Sequence, residues 1–431
     1  MTPHSLFEKN RRFLILVPGL LLGVLAIAFS VHRFENPKSG TAKSNKQVAT
    51  ANTAEHALMP QPKHIAPPAA IKAIYMTSWV ASVKPWREQL IKFINESEIN
   101  ALVIDVKDYS GYISFETNDP KLAELGVEDI RIKDLREFIE MAHQNGIYVI
   151  ARITVFQDPM YAKLYPAHAV QTQSGTTWTD RNGLSYIDPG SRDFWDYIVR
   201  IGTAAAYAGF DELNFDYIRF PTDGNMKDAV FPISGARLSK GNLATSTSAT
   251  VGSQKPTASS GVSIRRQTVK EAIITEFFAY LRQQTKPLGI PISADLFGMT
   301  MTAQDDVNIG QYLESAAQYF DYICPMVYPS HYPPQFNGYG NPAEHPYEIV
   351  HYAMTRGAAR MTAIGQDPKK LRPWLQDFNL GATYDAAKVR AQIKATYDSK
   401  LVSWLIWDPR NKYTRQAYLP ATVSTTTANA Y

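Results

Sequence analysis

The stretch DELNFD, residues 211–216, alternates polar and apolar side chains and predicts one strand of a β-sheet. Leu213 and Phe215 share the apolar face of this strand. The opposite face carries the three polar side chains, Glu212, Asn214 and Asp216. Burial of carboxylates and an amide is costly unless they are hydrogen-bonded or used in chemistry. We therefore expect the apolar face to pack against helices and the polar face to point into the interior of a barrel.

Short runs rich in β-branched residues recur along the chain and alternate with amphipathic stretches, the pattern of parallel strands joined by crossover helices. The eight predicted strands cover residues 71–76, 100–106, 147–153, 211–216, 290–296, 321–327, 361–365 and 402–407. Helices are predicted between them, for example over residues 133–145, 191–208 and 266–286, with Asp134 and Ser191 as N-caps. Eight strand–helix units predict an α/β fold, the (β/α)8 TIM barrel, whose chemistry lies at the carboxyl ends of its strands. A doubly wound open sheet is the alternative, but no GxGxxG motif follows a predicted strand.

Composition and charge restrict the function further. The chain has 431 residues, of which 45% are hydrophobic and 19% charged, as in globular proteins rather than disordered ones. Residues 1–70 contain eight Lys and Arg against three Asp and Glu, which leaves 36 against 37 in the rest of the chain. This balance argues against nucleic-acid binding, which needs a concentrated basic face. The single cysteine, Cys324, excludes an internal disulfide and a cysteine-rich zinc site.

The first 70 residues have the composition of a membrane-directed segment followed by a linker. Residues 13–29 are uncharged and mostly apolar and follow three basic residues, so residues 1–33 are predicted to be a cytoplasmic tip with a signal-anchor or a signal peptide. Residues 34–70 are rich in Pro, Ala, Lys, Ser, Thr and Asn and predict a flexible linker. We expect an exported protein, tethered to the membrane with its barrel on the outer side, or secreted if the segment is cleaved.

The remaining chain divides into a barrel domain and two biased segments. The barrel is predicted to span residues 71–420. Within it, residues 234–263 are rich in Ser and Thr and are predicted to be a low-complexity insertion that hangs as a disordered loop above Asp216. Residues 421–431 are a predicted disordered tail.

Carboxylates lie at the ends of three predicted strands. Asp216 ends the fourth strand, Asp295 lies near the end of the fifth and Asp105 near the end of the second. Because these strand ends meet at one end of a barrel, we expect a catalytic site with Asp216 as nucleophile or base and Asp295 as acid. Asp105, together with Lys107, would orient these two acids or tune their protonation. A buried ion network that closes the barrel is the alternative for the same residues.

Aromatic and polar residues near the same strand ends suit a sugar, which needs flat apolar faces and hydrogen-bonding groups around it. The aromatic residues at or just after strand ends are Tyr75, Trp79, Tyr217, Tyr328, Trp374 and Trp407. All of these aromatic residues except Trp79 are predicted to bind substrate. Seven polar residues complete the predicted substrate-binding set: Lys107, Arg152, Glu212, Asn214, Arg219, His331 and Gln376. For any single aromatic residue, packing in the core or at the rim is the alternative.

Motifs of other enzyme classes are missing from the sequence. The nine histidines form no HxH, HExxH or His/Cys cluster, so we predict no metal and no other cofactor. No GxSxG nucleophile elbow occurs. The loops after the last two predicted strands contain no glycine-rich phosphate cradle, which argues against phosphosugar and nucleotide substrates.

Seven motifs in order resemble the DUF4015 family of glycoside hydrolase domains, from about Ile71 to Tyr413. They are VIDVKDYSG (103–111), ARITVFQDP (151–159), GFDELNFDYIRFP (209–221), SADLFGM (293–299), DYICPMVYPSHY (321–332), LRPWLQDF (371–378) and WLIWDPRNKY (404–413). The resemblance implies a barrel related to glycosidases and a carbohydrate substrate. It implies acidic motif positions at Asp105, Asp216 and Asp295, and rim positions at Tyr328, His331, Trp374, Gln376 and Trp407. The Ser/Thr-rich insertion departs from the family pattern.

These observations predict a glycoside hydrolase that cleaves an extracellular or cell-envelope polysaccharide with paired carboxylates. A noncatalytic carbohydrate-binding envelope protein on the same barrel scaffold is the alternative. A barrel esterase or deacetylase is a third reading, for which the sequence has neither a nucleophile motif nor metal ligands. The expected partners are a carbohydrate polymer and, through residues 13–29, the membrane, but no nucleic acid.

Overall fold

The computed structural model describes residues 62–240 and 265–421. These residues form a closed barrel of eight parallel strands that follow one another in chain order. The strands are β1 Lys72–Met76, β2 Ala101–Lys107, β3 Tyr148–Thr154, β4 Glu212–Asp216, β5 Ile292–Phe297, β6 Tyr322–Met326, β7 Trp374–Gln376 and β8 Trp404–Trp407. The helices are Ser78–Ser82, Lys84–Asn95, Pro120–Glu124, Leu135–Gln144, Pro159–Leu164, Arg192–Ala208, Gly235–Ser239, Val269–Thr285, Leu313–Ala316, Pro346–Ala363 and Ala386–Asp398. The predicted (β/α)8 fold is confirmed.

Seven of the predicted strands match observed strands, but the seventh is wrong. Residues 361–365 were expected to be a strand, whereas they close the helix Pro346–Ala363 and the turn after it. The buried side chain of Met361 packs with the core on the helix side. The observed seventh strand, Trp374–Gln376, has only three residues and directly follows Pro373, so it shows too little alternation to be recognised.

The two faces of β4 lie as the alternation predicts. Leu213 and Phe215 are fully buried on the outer face, where a Cβ atom added to Gly202 of the helix Arg192–Ala208 would lie 3.1 Å from Leu213 Cδ1. Because Gly202 has no side chain, the helix can pack closely against β4 at this position. The polar face points inward, and Asn214 Nδ2 donates a hydrogen bond to Asp295 Oδ1 on β5 at 2.9 Å.

The predicted N-caps differ in what their side chains bind. The side chain of Ser191 accepts a hydrogen bond from the backbone N–H of Phe194 and caps the helix Arg192–Ala208. Asp134 also precedes its helix, Leu135–Gln144, but makes no side-chain cap. Its carboxylate instead accepts a hydrogen bond from Arg87 Nη1 at 2.7 Å. The carboxylate of Asp134 thus binds the guanidinium of Arg87 on a neighbouring helix instead of capping its own helix.

The end of the predicted linker contacts the barrel. The backbone N–H of Ile65 donates to Asp211 Oδ1 at 2.8 Å, just before β4. The other carboxylate oxygen of Asp211 binds His143 Nε2 at 2.9 Å and the backbone N–H of Val149 at 2.8 Å. The backbone at Ile65, within the predicted linker, is thus held against the barrel by a buried carboxylate.

The predicted disordered insertion begins later than expected. Ser234 is buried, and its backbone N–H donates to Asp188 Oδ2 at 2.8 Å. Residues Gly235–Ser239 then form a short helix. The expectation of disorder is thus wrong for residues 234–240, since a buried carboxylate anchors their first residue, while residues 241–264 lie outside the described part of the chain.

The predicted membrane-directed segment, residues 13–29, also lies outside the described residues, as do most of the linker and of the C-terminal tail. Within residues 62–240 and 265–421, no helix combines the length and the apolar composition needed to cross a bilayer.

Cys324 lies in the middle of β6 and is buried. Its Cα is in register with that of Asp295 on β5. The chain's single thiol therefore lies inside the barrel wall, next to the acidic strand end of β5.

Candidate active site

Arg152 on β3 contacts three carboxylates from three strands at the carboxyl end of the barrel. Its Nη1 donates to Asp105 Oδ1 on β2 at 2.7 Å, its Nη2 donates to Asp216 Oδ2 on β4, and its Nε lies 3.6 Å from Asp295 Oδ2 on β5. Burial acts to lower the pKa of Arg152, but the charges of Asp216 and Asp105 raise that pKa well above its ordinary value. The guanidinium therefore stays charged and holds the three acids together. We call these four residues the upper cluster.

The environment of Asp295 in the upper cluster favours the protonated form of its carboxyl group. Burial raises its pKa to about 8, and the nearby charge of Asp216 acts in the same direction, against the opposing effect of Arg152. Its Oδ1 accepts hydrogen bonds from Asn214 Nδ2 at 2.9 Å and from Trp374 Nε1 at 2.8 Å. Because Oδ1 already has two donors, the proton belongs on Oδ2. At neutral pH this carboxyl group can serve as a proton donor.

Asp216 differs from Asp295 in that each of its two carboxylate oxygens accepts a hydrogen bond. Its Oδ1 accepts the backbone N–H of Tyr217 at 2.6 Å, and its Oδ2 accepts from Arg152. Both oxygens are thus acceptors. Tyr217 has φ +52°, in the left-handed region that a bulky residue rarely adopts. Such backbone strain persists where the surrounding structure enforces it, frequently at functional sites.

A pocket of about 370 Å³ opens onto this cluster. Nine of the predicted site residues line it: Arg152, Asp216, Tyr217, Arg219, Asp295, Tyr328, His331, Trp374 and Trp407. The rings of Tyr328 and Trp407 pack 5.3 Å apart between centroids, and Phe378 packs behind both. The structure therefore brings the two predicted catalytic acids into one cavity with an aromatic wall.

Other predicted site residues lie behind the lining. They are Tyr75, Asp105, Lys107, Glu212, Asn214 and Gln376. The Tyr75 hydroxyl donates to Asp105, and burial raises the pKa of the Asp105 carboxyl. The Gln376 amide donates to the carbonyl of Phe378 at 2.9 Å. These contacts position lining residues and their neighbours, rather than a bound sugar.

Lys107 is placed differently from its predicted position beside Asp105. The pairing of β2 with β3 shifts register between Asp105 and Lys107, as at a β-bulge. The ammonium group is fully buried, 3.0 Å from Asp158 Oδ2 and 2.6 Å from the carbonyl of Thr154. The expectation that Lys107 tunes Asp105 or contacts substrate is therefore corrected, because the bulge turns it toward another acid.

Glu212 shares the inner face of β4 with Asp216 but lies four residues earlier in the strand, toward its amino end. It forms a buried ion pair with Arg372, whose Nη1 lies 2.8 Å from Oε2 and 3.1 Å from Oε1. We call Glu212 and Arg372 the lower pair. The expectation that Glu212 contacts substrate is corrected, since alternation assigns a face of a strand but not a height in the barrel.

Six residues that the sequence analysis did not select also line the pocket: Asp223, Phe297, Gly298, Met299, Met326 and Tyr332. Only the position of Gly298, directly after β5, gave a recognisable signal. A Cβ atom there would lie 2.5 Å from the carbonyl oxygen of Met326 and 2.6 Å from the Tyr332 hydroxyl. No other residue fits this position without displacing the pocket wall. Loop residues such as Asp223 line the pocket only because of the tertiary fold, which the alternation of polar and apolar residues in the sequence does not predict.

Arg219 gives the pocket a second guanidinium. It packs over the rings of Phe297 and Tyr217, 4.8 and 5.1 Å from their centroids. Its ion pair with Asp223 is long, 3.8 Å, and Asp223 is exposed, so solvent screens the attraction. Its Nη1 donates to the carbonyl of Phe220 at 3.2 Å. The guanidinium is held in place while much of its charge is available to a ligand.

Within the described part of the chain, no group of three or more His, Cys, Asp or Glu side chains is arranged to hold a metal ion.

The closed barrel with a carboxylate pocket at the carboxyl ends of its strands defines a TIM-barrel protein of the glycoside hydrolase type. Residues 73–413 match the family model DUF4015, described as a "Putative glycosyl hydrolase domain". The chain belongs to this family.

The chain is also similar to several solved structures. A hypothetical protein from Ruminiclostridium thermocellum is 31% identical over 52% of this chain and 96% of its own, with a TM-score of 0.41. The glycoside hydrolase domain of PgaB (BpsB) from Bordetella bronchiseptica is 12% identical over 83% of this chain and 100% of its own, with a TM-score of 0.51. Alpha-L-fucosidase isoenzyme 2 from Paenibacillus thiaminolyticus is 12% identical over 81% of this chain and 48% of its own, with a TM-score of 0.53. Comparison with curated proteins gave no match.

Proposed function

We propose that this protein is a glycoside hydrolase in which Asp216 and Asp295 act as the paired carboxylates. The observation that carries the proposal is that one arginine, Arg152, contacts both acids in the lining of an aromatic pocket. Asp295 keeps its proton near neutral pH, while both oxygens of Asp216 accept hydrogen bonds. A pair of carboxyl groups, one of which can donate a proton, is what cleavage of a glycosidic bond requires.

In this mechanism Asp295 protonates the glycosidic oxygen as the bond breaks. Asp216 acts on the anomeric carbon, either directly as nucleophile or through a water that it activates. Arg152 stays charged and keeps Asp216 in place, and Asp105 and Tyr75 fix the guanidinium from behind. Tyr328 and Trp407 offer apolar ring faces on which a sugar can stack.

The test is digestion of a panel of polysaccharides by the full-length protein, beside the variant Asp216→Asn. We expect new reducing ends from the wild type alone. Binding without cleavage by both proteins would contradict hydrolysis and support the alternative, a noncatalytic carbohydrate-binding protein. Equal release of reducing ends by both proteins would remove Asp216 from the mechanism.

We further propose that the substrate is an extracellular or cell-envelope polysaccharide and that residues 13–29 tether the exported barrel to the membrane. The apolar composition of that segment supports this proposal. Cell fractionation tests it: the full chain should sediment with membranes, and a chain lacking residues 1–33 should not. Protease added to intact cells should cut the barrel only if it lies outside.

A further inference from the structure

A second concavity lies at the same end of the barrel as the pocket. It has a volume of about 220 Å³ and lies between the helix Lys84–Asn95, which follows β1, and residues 410–415, which follow β8. Strands β1 and β8 are paired, so both segments leave neighbouring carboxyl ends. Its rim is formed by Trp86, Gln89, Arg410, Lys412 and Arg415, and we call it the rim cleft.

The rim cleft is close to the candidate active site along the chain. Trp407, at the end of β8, lines the pocket only three residues before Arg410. The floor residue Asn411 donates through Nδ2 to the carbonyl of Tyr75 at 3.1 Å. The hydroxyl of Tyr75 in turn binds Asp105 of the upper cluster. These hydrogen bonds connect the floor of the rim cleft to the upper cluster, and a polymer that occupies both sites would have to cross the junction of β8 and β1.

The rim cleft carries positive charge that the protein compensates only weakly. Arg410 is 65% exposed on its side chain and lies 3.6 Å from Asp408. The nearest approach of Arg415 to Glu96 is 4.0 Å, between exposed side chains. Lys412 forms no ion pair within residues 62–240 and 265–421. The exposed Arg415–Glu96 pair contributes little at its distance. The buried Asp408 compensates part of the Arg410 charge, whereas Lys412 and Arg415 present their charges to an anionic ligand.

Exposed aromatic rings accompany this charge. Trp86 on the rim is 50% exposed, and Trp79 in the preceding helix is 60% exposed. Arg131 covers one face of Trp79, with its guanidinium carbon 4.3 Å from the ring centroid. Single exposed apolar residues are ordinary, but two tryptophans beside a charged concavity indicate a binding surface. A tryptophan face suits a sugar ring, and the cations suit a carboxylate or sulfate on it.

We propose that the rim cleft is a distal subsite for an anionic sugar unit, and that the polymer cut in the pocket is therefore an acidic polysaccharide. This inference rests on the proposed function. The anionic sugar stacks on Trp86 while its acid group lies among Lys412, Arg410 and Arg415. The second guanidinium of the pocket, Arg219, supports the same substrate class.

The test is affinity electrophoresis of the full-length protein in gels that contain alginate, polygalacturonate or hyaluronan, with dextran as the neutral control. We expect retardation by at least one acidic polymer and none by dextran. The double variant Trp86→Ala/Lys412→Ala should bind that polymer about tenfold more weakly, because it loses one stacking ring and one charge. Lys92→Ala removes an exposed charge from the same helix, outside the cleft, and should bind like the wild type.

Two results would overturn the proposal: no retardation by any of the three acidic polymers, or equal retardation of the wild type and the double variant. Equal retardation would show that the rim cleft does not bind the polymer, and its cations would then suit another anion, such as a lipid headgroup. The variant Asp216→Asn separates this proposal from the proposed function, because it removes the predicted chemistry but leaves the rim cleft intact. Retention of Asp216→Asn on an acidic polymer that the wild type does not cut would support the subsite and contradict hydrolysis.

Discussion

Two arginines lie inside the same barrel, one near each end, and differ in how their charge is balanced. Arg372 in the lower pair faces one carboxylate, Glu212, through two hydrogen bonds, and both side chains are almost fully buried. Arg152 in the upper cluster faces three carboxyl groups and retains 17% exposure at the pocket. One end is a neutral pair closed to solvent, and the other has more acids than cations and opens to solvent.

The difference shows how similar residues on one scaffold serve structure at one end and chemistry at the other. In the lower pair each buried charge is compensated by its partner, which is a structural arrangement. Three acids around a single cation cannot all ionise at low cost, so Asp295 keeps its proton near neutral pH. Burial of Asp295, reinforced by the excess of carboxyl groups over cations, creates an acid at the upper end.

Asp295→Asn should produce the largest change. It removes the proposed proton donor, so kcat should fall about 10²–10⁴-fold. The free energy of unfolding at pH 7 should not fall and should instead rise, because the acid must take up a proton on folding at this pH and the amide does not. The measurements are steady-state kinetics on the substrate found by the panel and urea unfolding. A variant that unfolds easily but keeps its specific activity would return Asp295 to a structural role.

Glu212→Gln should have the reverse profile. It leaves Arg372 buried without a counter-charge, and we expect the free energy of unfolding to fall by about 3–5 kcal/mol. Activity per folded molecule should stay near that of the wild type, because Glu212 does not line the pocket. Chemical denaturation checks the first value and active-site-normalised rates the second. Replacement of both Glu212 and Arg372 by Met is the control and should recover part of the lost stability.

Both the stability and the activity of the protein should depend on pH through Asp295 at the upper end. The carboxyl group of Asp295 binds its proton more tightly in the folded chain, with a pKa of about 8, than in the unfolded chain, near 3.8. The stability from this proton is fully present below the unfolded pKa and is lost as pH rises through the folded pKa. Activity should also decline as pH rises through about 8, when the acid ionises.

Unfolding and rate profiles between about pH 5 and 9.5 measure both trends. In Asp295→Asn, the decrease in stability across this range should be smaller than in the wild type. Wild-type activity that stays level up to pH 9.5 would contradict the assignment of Asp295 as the acid.

Asp105→Asn should have the smallest effect. Asp105 does not line the pocket but binds Arg152, so we expect kcat to fall about tenfold through a less firmly held guanidinium. With one negative charge removed, Arg152 favours ionisation of Asp295 more strongly, and the alkaline limb should move to lower pH. A merely structural role would lower stability without shifting that limb, so the pH profile is the deciding measurement.

Much of the fold could be predicted, because alternation and spacing are local properties. DELNFD revealed both faces of β4, and Leu213 and Asn214 point as expected. The strand Trp374–Gln376 could not be recognised, since three residues after a proline carry almost no periodic signal. Its position in the barrel is set by pairing with β6 and β8, which is a tertiary property.

The candidate site was predictable in its acids and less so in its geometry. Asp216 and Asp295 end neighbouring strands, and strand order alone brings them together. The bulge that turns Lys107 toward Asp158 has no local signature, and neither does the height that separates Glu212 from Asp216. Pocket residues such as Asp223 and Tyr332 come from loops, whose path depends on the finished barrel.

The single buried thiol can report how often the barrel wall opens. Cys324 is enclosed in β6, so a thiol reagent can reach it only when that strand separates from its neighbours. With no other cysteine in the chain, the labelling rate reports one opening event without background. When reclosing outpaces the reagent, that rate measures the population of the opened barrel. Each substitution near the site can then be assigned a cost in opening, separately from its cost in catalysis.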